Sequence, residues 1–216
     1  MSREYEYQFI DIDLQKIRKL IRDNGGKQIY GKTLMSIIVY NHPNKTLQSD
    51  SYIRVRNEGN KITFTVKTKL KDKFPIEHEV EMSNDPKNIE EMDHMLNFLG
   101  CTLKYKVEKL REKWIIADAK EIVFDSYPAL PTYMEIEAET EEKLNKVTKL
   151  LGLDPNKRHN GGGFYEYYYG IDMRKQVSID IPLTFKTVNK KFGKLITKNK
   201  KLFNKTVKLQ LQYLNI

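Results

Sequence analysis

The sequence contains only one cysteine, Cys101, and a single cysteine excludes an internal disulfide. It also lacks long apolar runs, since none approaches the roughly 20 residues of a membrane-spanning helix. The first residues have neither the basic start nor the apolar stretch of a secretory signal. The four histidines show no zinc-binding spacing with one another or with Cys101. These absences predict a cytoplasmic protein without membrane contact and without a zinc-type site built on histidine and cysteine.

Acidic residues are missing from residues 181–216, which hold nine lysines. Residues 1–180 hold 29 basic and 29 acidic residues, so the net charge of +9 lies in the C-terminal segment. We predict a main domain over residues 1–180 and a Lys-rich extension over residues 181–216. Because Phe185, Phe192 and Phe203 stand between the lysines, this extension fits contact with a polyanion such as RNA. A solvated segment, or one that wraps the domain, is the alternative.

Three amphipathic helices are marked by their caps and by apolar residues at helical spacing. We predict them from about Asp13 to Asn24, from Asp85 to Gly100 and from Thr140 to Gly152. The segments between them alternate apolar and charged residues, as strands do in a sheet with one dry and one wet face. About eight such strands can close into a barrel with a charged interior and the helices outside. An open sheet with a polar outer face is the alternative.

A match to the P-loop pattern GxxxxGK[ST] occurs at residues 26–33. A phosphate-binding P-loop follows a strand and begins a helix, whose amide groups then face the phosphates. Here a helix precedes the motif and strand-like residues follow it. We therefore predict that the match is accidental.

Two pairs of carboxylates have i, i+2 spacing in strand-like sequence, Glu4 with Glu6 and Glu135 with Glu137. Side chains alternate across a strand, so each pair projects to one face. Four like charges on one surface repel one another unless a cation lies among them.

Arginines and lysines at alternate strand positions share the inner face with these carboxylates. Carboxylates are oxygen ligands for Mg²⁺ or Mn²⁺, whereas arginine and lysine bind several phosphates at once. Enzymes of phosphoryl transfer act mostly through positioning and charge stabilisation. The combination therefore predicts a site for a triphosphate and a divalent cation.

The motifs on these strands occur in a specific order over roughly residues 3–138. They are Glu4-Tyr-Glu6-Tyr-Gln8, Arg54-Val-Arg56, Thr65-Val-Lys67, the acidic strand around Glu79 and Glu81, Val107-Glu-Lys109-Leu-Arg111, Asp125 and Glu135-Ile-Glu137. In this order the set resembles the CYTH superfamily of triphosphate tunnel metalloenzymes, which includes class IV adenylyl cyclase and thiamine triphosphatase. The resemblance implies an α+β fold built on an eight-stranded antiparallel β-barrel that forms a tunnel.

The resemblance also implies a role for each charged side chain of the tunnel. The predicted metal ligands are Glu4, Glu6, Glu79, Glu81, Asp125, Glu135 and Glu137. The predicted phosphate-binding residues are Gln8, Arg54, Arg56, Lys67, Lys109, Arg111 and Lys113, among which Lys67, Lys109 and Arg111 are also predicted to be catalytic. The family signature is ExExK, and Gln8 stands at its lysine position, where it keeps hydrogen bonding but loses a positive charge.

Three functions fit these residues. The first is a divalent-metal-dependent triphosphatase acting on a nucleotide, an RNA 5′-end, or another organic or inorganic triphosphate. The second is a class IV adenylyl cyclase, which uses the same phosphate contacts to convert ATP to cyclic AMP and pyrophosphate. The third is a non-catalytic module that binds polyphosphate or RNA, suggested by Gln8 and the Lys-rich segment. The sequence leaves the oligomeric state open between monomer and homodimer.

Overall fold

One antiparallel sheet forms the centre of the computed structural model, which describes residues 2–3, 5–44, 51–70, 76–85, 88–159, 162–173 and 181–216. Its strands alternate charged and apolar residues, so one face is polar and the other packs under helices. In chain order they are β1 (Ser2–Arg3), β2 (Tyr5–Phe9), β3 (Lys27–Asn41), β4 (Ser51–Asn57), β5 (Ile62–Leu70), β6 (Ile76–Asn84), β7 (Thr102–Ile115), β8 (Glu121–Ser126) and β9 (Tyr133–Ala138).

The two edges of the sheet meet in the first strand of the chain. The strand order is β1-β6-β5-β4-β3-β7-β8-β9-β2, so hydrogen bonds do not complete a ring. However, Arg3 at one end pairs with Ile76, and Tyr5 at the other end pairs with Ala138. Arg3 and Tyr5 are two positions apart, which keeps their Cα atoms within about 7 Å of each other. β1 and β2 thus count as two halves of one strand, and the predicted eight-stranded antiparallel tunnel is confirmed.

Helices cover the apolar outer face of the sheet. The described residues form α1 (Leu14–Asp23), α2 (Ile89–Phe98), α3 (Glu141–Leu150), α4 (Phe164–Tyr169), α5 (Val188–Phe192) and α6 (Lys200–Leu214). α1 and α3 pack on β2, β7, β8 and β9 around Trp114 and Phe124. Asp13 caps α1 by accepting hydrogen bonds from two backbone amides, and Thr140 caps α3 in the same way, as the sequence predicted.

The second helix begins later than the sequence predicted. α2 starts at Ile89 rather than near Asp85, and residues 86–87 lie outside the described part of the chain. The difference has a local cause, because β6 extends to Asn84, whose side-chain oxygen accepts hydrogen bonds from Asp85 N and from Asn88 Nδ2. α2 then packs through Leu96 on the outer face of β3, β4 and β5.

The C-terminal segment packs against one end of the tunnel. Ile37 and Val107, which have the inward parity of β3 and β7, form one buried cluster with residues of α4, α5 and α6. Leu183 pairs with β7 beside Val107, at a level that β8 does not reach. Gln210 on α6 binds the backbone of the β8–β9 loop through Ala129 N, Tyr127 O and Leu130 O. The phenylalanines at positions 185, 192 and 203 are all buried, so they belong to the core and present no ring to a nucleic acid.

The P-loop match has no phosphate-binding geometry. Its residues from Lys27 onward lie in strand β3, and among the described residues that follow them the first α-helix begins at residue 89. The prediction that the match is accidental is confirmed. In the described ranges, no helix has both the length and the apolar character that crossing a membrane requires.

Candidate functional site

The polar face of the sheet encloses a cavity of about 1370 Å³. Every predicted phosphate-binding side chain lines it: Gln8, Arg54, Arg56, Lys67, Lys109, Arg111 and Lys113. Four predicted metal ligands line it as well: Glu6, Asp125, Glu135 and Glu137. Glu4 and the side chains of Glu79 and Glu81 lie outside the described residues, although the backbone pairs Glu79 with Lys67 and Glu81 with Thr65.

Asp125 fixes two cations at the centre of this cavity. Its carboxylate accepts hydrogen bonds from Lys109 Nζ at 2.8 Å and from Arg111 at 2.7 Å (Nε) and 2.6 Å (a terminal nitrogen). Burial alone would raise the pKa of Asp125, but the charges of Arg111 and Lys109 lower it to about 2. Burial and the charge of Arg111 lower the pKa of Lys109 to about 8. Asp125 is therefore ionised at neutral pH and holds both cations in one orientation.

Gln8 connects two carboxylates on adjacent strands. Its Nε2 donates hydrogen bonds to Glu6 Oε1 at 3.0 Å and to Glu135 Oε1 at 2.9 Å. Glu135 also accepts a hydrogen bond of 3.2 Å from Arg111. Nevertheless, burial and the charges of Glu6 and Asp125 raise the pKa of Glu135 to about 8. Without a further cation Glu135 is therefore mostly protonated at neutral pH, because its arginine and its amide do not offset burial and the neighbouring carboxylates.

A divalent cation fits that corner. Gln8 Oε1 is buried and accepts no hydrogen bond from the described residues, while Nε2 of the same amide donates to Glu6 and Glu135. Carboxylate and amide oxygens are ligands that Mg²⁺ and Mn²⁺ prefer, and a cation there would stabilise the ionised form of Glu135. Within the described ranges no three His, Cys, Asp or Glu side chains form a metal-binding group. The oxygen donors that the described residues supply are therefore Glu6, Glu135 and the Gln8 amide.

Further ion pairs line the cavity away from Asp125. Arg56 Nε donates to Glu58 at 2.7 Å, and Lys113 pairs with Glu121. Lys120 pairs with Glu137 at 2.6 Å, in a more exposed position. Burial would raise the pKa of Glu121, but Lys113 and Arg111 lower it below its ordinary value. An anionic ligand entering here meets cations that carboxylates already hold in place.

Sequence reasoning missed several residues of this cavity. Glu121 and Tyr127 have the same strand parity as Asp125, and Tyr133 has that of Glu135, so the alternation that identified the others also contained them. Glu58 and Lys120 lie next to strand ends, where parity gives no guide. Other lining residues are Ile29, Tyr30, Thr33, Met35, Tyr52, Asn60, Lys61, Tyr105, Gly162 and Phe164.

Comparisons with known proteins agree with this geometry. The CYTH domain family model matches residues 2–156, a range that contains every predicted site residue. No curated protein matches the chain. The resemblance to the CYTH family that the sequence motifs predicted is therefore confirmed.

Solved structures from several organisms share the fold. A protein from Pyrococcus horikoshii OT3 is 20% identical with a TM-score of 0.58, over 76% of this chain and 98% of that one. A proposed adenylate cyclase from Vibrio parahaemolyticus is 14% identical with a TM-score of 0.61, over 74% and 95%. A proposed adenylyl cyclase from Hippeastrum, whose structure reveals a dominant triphosphatase activity, is 16% identical with a TM-score of 0.51, over 76% and 94%. At these identities the likeness establishes the tunnel fold and not the reaction.

Proposed function

The chain belongs to the CYTH domain family, and we propose that it is a divalent-metal-dependent triphosphatase. The proposed substrate is a nucleotide, an RNA 5′-end, or another organic or inorganic triphosphate, and Mg²⁺ or Mn²⁺ is the proposed cofactor. One observation carries this proposal: fixed cations and a pair of adjacent carboxyl groups, of which Glu135 needs a further cation to ionise at neutral pH, line one cavity. Such a site matches a chain of phosphates on one side and a metal ion on the other.

The cations of the cavity would bind the phosphate oxygens. Arg111 forms a fork with Asp125 and offers its other terminal nitrogen, Lys109 offers a point charge, and Asp125 holds both before the ligand arrives. Lys109 has a pKa of about 8, so it is mostly protonated at neutral pH. Because these groups are already oriented, little reorganisation is needed as charge develops on the terminal phosphate.

The carboxylate corner would hold the metal and orient the attacking water. Glu6 and Glu135 would bind the divalent cation, which when bound supplies positive charge to the phosphate oxygens and polarises the terminal phosphoryl group. Gln8 keeps the two carboxylates at hydrogen-bond distance from one amide nitrogen. Release of the terminal phosphate needs a water in line with the bond that breaks, and Glu6 in this corner is a carboxylate that can accept a hydrogen bond from it.

The alternative reaction is that of a class IV adenylyl cyclase. It uses the same phosphate contacts, but the nucleophile is the ribose hydroxyl rather than water. This hydroxyl attacks the alpha phosphorus. The products separate the two reactions, since hydrolysis releases orthophosphate and cyclisation releases cyclic AMP with pyrophosphate.

Glu6→Gln tests the carboxylate corner. The substitution keeps the size of the side chain but removes a charged ligand, so metal-stimulated phosphate release is expected to fall by roughly 100-fold. The measurement is the initial rate against Mn²⁺ and Mg²⁺ concentration. Glu139→Gln is the matched control, because Glu139 is an exposed carboxylate that follows β9, pairs with Lys143 and does not line the cavity. Equal rates for Glu6→Gln and wild type would contradict the assignment.

We also propose that the Lys-rich segment contacts RNA. Eight of its lysines are exposed and form no ion pair with an acidic side chain of the described residues: Lys186, Lys190, Lys194, Lys198, Lys200, Lys201, Lys205 and Lys208. The last four lie along roughly 12 Å of α6, where Lys201, Lys205 and Lys208 are on the side away from buried Phe203 and Val207 and Lys200 is at the N-terminal end. Unpaired lysines on one helix face supply the charge that binds a phosphate backbone.

Replacing Lys200, Lys201, Lys205 and Lys208 together by glutamine tests this contact. Single-stranded RNA is expected to bind more weakly, and the slope of log K against log salt concentration is expected to fall by up to about 3, because four cations are removed. Lys143→Gln with Lys146→Gln on α3 is the control, since these lysines pair with Glu139 and Asp118. Unchanged affinity and slope in the quadruple variant would refute RNA contact through this face.

A further inference from the structure

The end of the cavity next to the C-terminal segment is lined by aromatic side chains. These residues, which we call the aromatic end, are Tyr52, Tyr105, Tyr127, Tyr133 and Phe164. They come from strands β4, β7 and β9, from the residue that follows β8, and from the first position of α4. An inorganic triphosphate offers nothing that would contact such a surface, whereas the ring of an organic triphosphate does.

One wall of the aromatic end is a rigid stack of rings. The rings of Tyr127 and Tyr133 are stacked with centroids 6.4 Å apart, and Tyr133 and Phe164 are stacked at 4.5 Å. His159 stacks on Phe164 at 4.7 Å, and Lys109 Nζ lies 5.8 Å from the ring centre of Tyr127. Because other rings or a cation already contact the faces of Tyr127, Tyr133 and Phe164, this wall bounds the aromatic end but leaves little ring surface for a ligand.

Tyr105 differs from the stacked rings. It is 40% exposed although it lines the cavity, and it makes no ring contact with the described aromatic residues. Burial nevertheless raises the pKa of its phenol, with Tyr52 adding to the effect, as expected for a side chain that is surrounded by protein yet reached by water. Its ring is therefore an accessible apolar surface inside the site.

The position of Tyr105 relative to the cations fits an organic triphosphate. Tyr105 and Arg54 both pair with Val39, from opposite sides of β3. Lys109 lies four residues further along β7 on the same face, on the order of 13 Å away. This distance is comparable with the length of an extended nucleoside triphosphate. A base at Tyr105 would place its phosphates along Arg54, Lys109 and Arg111.

We propose that Tyr105 is the stacking platform for the base of the substrate, and that the tunnel is built for a nucleoside triphosphate rather than for inorganic triphosphate. The inference rests on the proposed triphosphatase function and adds the substrate class and the residue that selects it. Stacking of a base on an aromatic side chain tolerates different bases, so the platform favours nucleotides as a class over one particular base.

Tyr105→Ala tests this inference with two substrates. The value of kcat/KM for ATP is expected to fall about 10-fold, since loss of one base–aromatic stack weakens binding by that order. The value for inorganic triphosphate is expected to change less than about twofold, because no base is present. Tyr105→Phe keeps the ring and is expected to retain wild-type selectivity. Tyr213→Ala is the matched control, because Tyr213 is a tyrosine outside the cavity that is 51% exposed, somewhat more than Tyr105.

Equal losses for both substrates, or no loss for ATP, would overturn the inference. If the wild type releases phosphate from neither substrate, the proposed triphosphatase function fails. Calorimetric Kd values of ATP and of inorganic triphosphate for the same variants then still test the stacking role of Tyr105. Weaker binding of ATP alone in Tyr105→Ala would then support the platform. Equal Kd changes would refute it.

Discussion

Arg111→Lys is expected to lower kcat/KM for triphosphate hydrolysis by roughly 100- to 1000-fold. The substitution keeps one positive charge beside Asp125 but removes the planar guanidinium, whose Nε and one terminal nitrogen form a fork with Asp125 while the other terminal nitrogen can donate to a phosphate oxygen. Loss of one oriented donor to developing negative charge typically costs a factor of that size. Steady-state kinetics with either triphosphate measure the effect.

The chain offers a matched control for this variant. Arg18 makes the same kind of fork with Glu112, with Nε at 2.9 Å and a terminal nitrogen at 2.7 Å from the two carboxylate oxygens. Glu112 neighbours Arg111 on β7, but its side chain has the opposite parity and lies outside the cavity. Arg18→Lys is therefore expected to leave kcat/KM within about twofold of wild type. Equal losses in both variants would mean that Arg111 acts through stability rather than through the phosphates.

Phe203→Ala is expected to destabilise the whole tunnel by about 3–5 kcal/mol. The Phe203 side chain is fully buried, contacts the ring of Tyr169 and belongs to the cluster that includes Ile37 and Val107 of the sheet. Truncating a buried phenylalanine removes its transfer free energy and leaves a cavity. For a protein of this size the loss corresponds to a fall in Tm of about 10 °C. Thermal or denaturant unfolding followed by circular dichroism measures it.

Leu209→Ala is the control for Phe203→Ala, because it makes a similar truncation in the same helix without removing a buried side chain. Leu209 is 55% exposed on α6, so its truncation is expected to change the free energy of unfolding by less than about 0.5 kcal/mol. Independent unfolding of the C-terminal segment in Phe203→Ala, with the transition of the sheet unchanged, would contradict the shared core.

A shared core also means that deleting residues 186–216 would damage the tunnel. Substitutions of surface lysines test RNA contact without this effect.

Strand parity carried most of the correct predictions about the tunnel. Because side chains alternate strictly along a strand, Arg54 and Arg56, or Lys109 and Arg111, had to share a face, and the structure places all four in one cavity. The same rule would have identified Glu121. Parity does not tell which strands are neighbours, so it could not predict the pairing of β2 with β9.

The role of Gln8 depended on that long-range pairing. The sequence showed that a positive charge is absent at this position, but Gln8 meets Glu135 across 127 residues of chain. Only the assembled sheet shows that the amide joins the carboxylates of Glu6 and Glu135. Phe164 is similar, since tertiary packing brings it to the cavity from a segment without strand periodicity.

The C-terminal segment was the least predictable part of the chain from its charge. Its lysines suggested a separate extension, yet its apolar residues have helical spacing: Val188 with Phe192, and Phe203 with Val207, each four residues apart. All four are buried against the tunnel end. The lysines predict the exposed face of these helices, and the spacing of the apolar residues predicts the face that packs against the tunnel.

Chromatographic separation of the products is the most direct test of the proposed triphosphatase. The protein is incubated with ATP, and separately with inorganic triphosphate, in the presence of Mg²⁺ or Mn²⁺. We expect ADP and orthophosphate from ATP, and pyrophosphate with orthophosphate from inorganic triphosphate. The amounts of product from both substrates are expected to be lower with Arg111→Lys and with Glu6→Gln. Cyclic AMP with pyrophosphate from ATP would contradict it in favour of the cyclase, and no product from either substrate with either metal would contradict it in favour of a binding module.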